Sequence, residues 1–124
     1  MTQKNVERLA DLKEAVLQFT EMSPDVSRAF SALGRAAQAE GTLDRKTKEL
    51  IALAISVAER CDSCIAYHAR ALVRAGATRQ EVAETLAVTV QMGGGPSYYT
   101  AAEALRAFDE FAEAPSAHHR HGVE

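Results

Sequence analysis

Apolar residues recur every three to four positions through almost the whole chain, and no stretch alternates β-branched with polar residues as a strand would. That pattern predicts an all-α fold. Over 5–22, Val6, Leu9, Leu12, Val16 and Phe19 fall on one stripe. Ser23-Pro24 then supplies an N-cap and a first-turn proline for a second helix over 24–40, whose Val26, Phe30 and Leu33 share a face ahead of Gly41. Thr42 and Asp44 are candidate caps for a third helix carrying Leu50, Ile51, Leu53, Ala54, Ile55, Val57 and Ala58. This helix is apolar on more than one face and is expected at the centre of the core.

Asp62 and Ser63 favour helix starts over helix interiors, which places a break near Arg60 and a fourth helix over 62–75, ended by Gly76. Thr78-Arg79-Gln80-Glu81 has the form of a capping box and opens a fifth helix through Val82, Leu86, Val88 and Val90 to Met92. Gly93-Gly94-Gly95-Pro96 must end it. A sixth helix from Pro96 carries Tyr98, Tyr99, Ala102, Leu105, Phe108 and Phe111. The glycine run follows a helix and lacks both a preceding strand and a Lys-Ser/Thr signature, so it reads as an interhelical turn and not as a phosphate loop. The whole is one domain: N-terminal helices over 1–41, a core over 42–114 and a frayed tail over 115–124.

A chain of 124 residues supports one core and not two, and 47% hydrophobic with 25% charged residues is ordinary for a folded protein. The net charge of -3 and the lack of any Lys/Arg cluster argue against a nucleic-acid partner. No apolar run approaches the length of a membrane span, and the first eight residues lack a signal-peptide core, so the expectation is a cytoplasmic protein.

Chemistry concentrates in Cys61-Asp62-Ser63-Cys64-Ile65-Ala66-Tyr67-His68, which holds both cysteines of the chain. A disulfide between them would close too small a loop to restrain the unfolded state, which makes a structural staple a poor explanation. In a reducing compartment such a pair is more often redox-active or metal-binding. Thiolate is the reactive form, and a helix start together with a histidine at i+4 from Cys64 favours it. Glu49, upstream on the third helix, is the nearest acid that could orient His68, if the break near Arg60 folds the fourth helix back. Counting residues from the break leaves the two slightly out of register, with a bridging water between them. Glu49 could instead be a surface acid paired with Lys46 or Lys48. Zinc held by Cys61, Cys64 and His68 would need a fourth ligand from His118, His119 or His121 in the tail. Packing of two small buried cysteines is the remaining reading.

Glu49-Leu50-Ile51, the Cys61-x-x-Cys64 pair, His68, Gly76 and Glu81 together resemble the carboxymuconolactone decarboxylase and alkyl hydroperoxidase D superfamily over about 42–111. The resemblance implies an all-α bundle of about six helices, assembled as a homo-oligomer: dimers joined into a hexamer, with a trimer as the alternative. It also implies that Cys64 is a peroxidatic thiol, Cys61 a resolving thiol, and His68 with Glu49 a proton relay through water, with no cofactor or metal. The substrate would be a peroxide or another small molecule, and the electron donor a dithiol or lipoyl-type protein. Ser63 stands where hydroperoxidase-type members tend to carry tyrosine, which bears on substrate and reductant preference. Two other readings keep the fold: decarboxylation of a small lactone carboxylate with the cysteines incidental, and a non-enzymatic redox-sensing subunit.

Overall fold

The computed structural model describes residues 3–114. The segment 115–124 read as a tail, with His118, His119 and His121, lies outside them. Six helices follow one another: α1 (Lys4–Met22), α2 (Pro24–Gln38), α3 (Arg45–Ala58), α4 (Asp62–Arg74), α5 (Arg79–Gly93) and α6 (Gly95–Glu113), with no strand among the described residues. The all-α expectation holds, and the helix ends fall within two residues of those read from periodicity and caps. None of these helices is long and apolar enough to cross a membrane.

Local chemistry accounts for the ends. Asp44 caps α3 by accepting from the Thr47 amide at 2.8 Å, whereas Ser23 opens α2 without a side-chain cap bond. The capping box of α5 is complete: the Glu81 amide donates to Thr78 Oγ1 at 3.0 Å and the Thr78 amide to Glu81 Oε1 at 2.8 Å. At the end of α4, Gly76 takes a left-handed φ of 81°, and the amides of Gly76 and Ala77 bond back to the carbonyls of Val73 and Leu72. The α5–α6 junction needs its glycines. Gly94 has φ 72°, and a Cβ on Gly93 would lie 1.9 Å from Ser97 Oγ.

The core joins α3, α4, α5 and α6, with Leu53, Leu72, Val82 and Ala104 fully buried. Truncating either leucine to alanine costs about 2–5 kcal/mol. α6 buries seven of its 19 residues and α4 five of its 13, against four of 14 on α3. That corrects the expectation of α3 as the innermost helix. One face of α3 enters the core through Leu53 and Val57, while Ile51 and Ile55 remain about half exposed. Its second apolar face lies instead on a groove of about 660 Å³ between α3, α5 and the start of α6.

α1 packs Leu9 into the core, and polar contacts also hold the N-terminal helices. Glu110, fully buried on α6, accepts from the Asn5 amide at 2.8 Å and from Asn5 Nδ2 at 3.1 Å, which fixes the start of α1. Lys48 on α3 donates to the carbonyls of Ala37 and Ala39 at the end of α2, meeting groups that the helix itself leaves unpaired. α2 buries no residue.

Candidate active site

The site begins where α3 ends. Arg60 takes a left-handed φ of 54°, unusual for a residue other than glycine, and its amide bonds to Val57 O while the Cys61 amide bonds to Ser56 O, both at 3.0 Å. This is the same 5→2 and 6→1 closure that Gly76 makes for α4. Cys61 is at once the last residue of that closure and the N-cap of α4. Its carbonyl accepts from the Ile65 amide at 2.9 Å and its Sγ from the Cys64 amide at 3.2 Å. Backbone on both sides thus fixes one cysteine, and the first turn of α4 fixes the other.

Cys61 and Cys64 form a disulfide, with S–S 2.12 Å and Cα–Cα 5.2 Å. Both are half-buried. His68 lies one turn beyond Cys64 on the same face. Its Nδ1 is 2.6 Å from Oε1 of Glu49, which is 2% exposed, so the expected water between them is replaced by a direct bond. The reason is that α3 and α4 pack side by side after the left-handed turn. Glu49 and His68 stand eleven and eight residues from Arg60, and the resulting offset of about 4.5 Å is within reach of the two side chains. A carboxylate at Nδ1 favours the neutral tautomer that carries its proton there, which presents Nε2 as an acceptor.

Neither lysine weighed as a partner of Glu49 approaches it. Lys46 bonds Glu81 Oε2 at 2.9 Å, linking the starts of α3 and α5, and Lys48 holds the end of α2. Sequence reasoning missed Arg45, whose Nε is 3.8 Å from Glu49 Oε2. Its signal was an acid and a base four residues apart on one helix. Tyr67 meets the His68 ring edge-on at 5.1 Å between centroids, and the Arg70 guanidinium lies 5.6 Å over Tyr67. Arg8 links α1 to the start of α4, donating to Asn5 Oδ1 at 3.2 Å and standing 3.9 Å from Asp62. Tyr98 and Tyr99 stack edge-on against each other, stay exposed and do not line the groove. Among the described residues no three His, Cys, Asp or Glu side chains are grouped to hold a metal ion.

The site of this small all-α protein is thus a disulfide-linked cysteine pair at a helix start, with a histidine one turn on and a buried acid behind it. Residues 24–107 match the carboxymuconolactone decarboxylase family, and the chain belongs to it. A protein of this family from Legionella pneumophila, solved in its apo form, superposes with a TM-score of 0.89 at 46% identity, over 90% of this chain and 100% of that one. A Thermotoga maritima family protein, for which involvement in the antioxidative response has been suggested, superposes with a TM-score of 0.77 at 28% identity, over 88% and 93%. An uncharacterised protein of Cupriavidus necator is 37% identical over 102 residues, which cover 82% of this chain and 90% of that protein. Another, encoded in the cox locus of Paracoccus denitrificans, is 38% identical over 85 residues, 68% of this chain and 77% of the relative.

Proposed function

We propose that the protein is a thiol-dependent peroxidase, more broadly a disulfide oxidoreductase, in which Cys64 is the peroxidatic thiol, Cys61 the resolving thiol, and His68 with Glu49 the proton relay. The observation that carries this reading is the direct bond between His68 and the buried Glu49, one turn beyond a cysteine pair joined as a disulfide. The antioxidative role suggested for the Thermotoga maritima relative supports it.

In the reduced pair, His68 Nε2 takes the proton of Cys64, and the thiolate lies where the first-turn amides of α4 favour negative charge. The thiolate attacks the terminal oxygen of a hydroperoxide. An S–O bond forms, the O–O bond breaks, and the departing alkoxide takes the proton from His68, which leaves Cys64 as a sulfenic acid. The Cys61 sulfur then attacks the Cys64 sulfur, the S–O bond breaks, and hydroxide leaves with the Cys61 proton as water. An external dithiol of the lipoyl type reduces the disulfide by exchange and is itself oxidised. Such donors operate in a reducing compartment, so we place the protein in the cytoplasm. The exposed apolar faces of α2, α3 and α5 support assembly with further copies, as a hexamer or a trimer.

The test is peroxide consumption with cumene hydroperoxide and dihydrolipoamide. Wild type turns over, Cys64→Ser does not, and Cys61→Ser accumulates a sulfenic acid that dimedone traps. Equal rates for wild type and Cys64→Ser would sink the proposal. Turnover of a lactone acid that needs His68 and survives both cysteine substitutions would put decarboxylation in its place.

A further inference from the structure

A buried carboxylate with two oxygens needs both of them oriented if it is to act on a histidine in one defined way. Oε1 of Glu49 faces His68 Nδ1 at 2.6 Å, and Oε2 faces Arg45 Nε at 3.8 Å. Glu49 is 2% exposed, while the Arg45 side chain is about half exposed, so the guanidinium reaches from solvent toward the inner acid. Several charged groups on the surrounding elements are engaged elsewhere. Lys46 pairs with Glu81 on α5, Arg79 with Asp109 on α6, Glu110 on α6 with Asn5 on α1, and Arg8 on α1 stands by Asp62 on α4. Lys48 binds the end of α2, and Glu40 meets the backbone amide of Arg45 at 3.4 Å. Among the described residues, Arg45 is the one cation other than His68 within 4 Å of the Glu49 carboxylate.

We propose that Arg45 is a positioning residue: its pairing with Oε2 holds the Glu49 anion with Oε1 turned to His68, and so fixes the tautomer that leaves Nε2 to accept the Cys64 proton. This rests on the dithiol reading of the site and deepens it. A turned Glu49 would no longer accept from Nδ1–H, and the neutral ring would then be free to carry its proton on Nε2, with no lone pair left for the thiol. The Arg45 charge disfavours that state. Because the effect works through charge, lysine at position 45 should supply it and neutral glutamine should not.

The test reads His68 directly, by two-bond ¹H–¹⁵N spectra of the reduced full-length protein above the histidine titration range, with the resonance assigned by its loss in His68→Gln. Wild type and Arg45→Lys should show the Nδ1–H tautomer, and Arg45→Gln a mixture with Nε2–H. In a Cys61→Ser background, iodoacetamide alkylation of Cys64 should slow about fivefold in Arg45→Gln and recover in Arg45→Lys, the scale expected of a half-exposed ion pair. Circular dichroism establishes that each variant is folded, and Arg45→Met serves as a second neutral variant. An unchanged tautomer in both neutral variants overturns the proposal, as does Arg45→Lys behaving like Arg45→Gln. Neither readout depends on peroxide turnover, so a wild type without peroxidase activity would remove the enzymatic reading and leave this one standing on its own spectra.

Discussion

At the scale of single residues, the site depends on how tightly Cys61 is tied to two helices at once. Its amide closes α3 and its carbonyl and sulfur open α4, so the cysteine pair is fixed by backbone hydrogen bonds and does not rely on side-chain packing alone. Arg60 makes that handover with φ 54°. A left-handed conformation costs a residue with a Cβ about 1–2 kcal/mol, part of which glycine would return as lost unfolded-state entropy. Arg60→Gly should therefore stabilise the fold by up to about 1 kcal/mol, read as a higher midpoint in urea with an unchanged slope. A lower midpoint would mean that the Arg60 side chain stabilises the turn by more than its strain costs. The break itself was legible, because Asp62 and Ser63 announce a helix start. Its left-handed residue was not, since sequence rules look for glycine there and find arginine.

Between elements, what could be read from the chain was local and what could not was long-range. The capping box at Thr78 was visible as four consecutive residues, but the partner of Glu81 across the fold was not. Lys46 lies 35 positions away, as Asn5 lies 105 from Glu110. The hydrogen bond from the Thr78 amide, followed by the bond from Lys46, holds the Glu81 carboxyl below the usual carboxylate range. A carboxyl lowered in the folded state stabilises the fold above its unfolded value and loses that contribution as pH falls through the lowered one. Glu81→Gln should accordingly lower Tm at neutral pH, and the gap from wild type should narrow as pH drops below about 4, where the acid is protonated first in the unfolded chain and then in the folded one. A gap constant from neutral pH to pH 3 would refute the electrostatic account. Glu49 and His68 illustrate the same limit: their pairing was legible as a possibility, while the direct contact depended on a packing offset that counting residues along straight helices overestimates.

For the whole molecule, the question is what covers the apolar faces left open by a single chain. Phe30 on α2 is 74% exposed, Ile55 on α3 56% and Met92 on α5 79%, and the latter two border the groove of about 660 Å³. Single exposed apolar residues are ordinary, but an amphipathic helix that buries nothing, and an apolar groove of this size on α3 and α5, are surfaces suited to contact. The pattern that made α3 look like the innermost helix is explained if its second face meets another copy. In solution the protein should therefore run as an oligomer by light scattering, several multiples of the 13.4 kDa chain. Ile55→Asp, which puts a charge on the groove, should shift it toward the monomer. Cys61, Cys64, His68, Glu49 and Arg45 all come from one chain and hold each other by contacts within it. Cys64 alkylation in the dissociated variant should thus stay close to wild type even where assembly is lost. A monomeric wild type would refute the assembly. A loss of thiol reactivity in folded, dissociated Ile55→Asp would mean that the relay needs a neighbouring copy, and the site would then have to be redrawn across the interface.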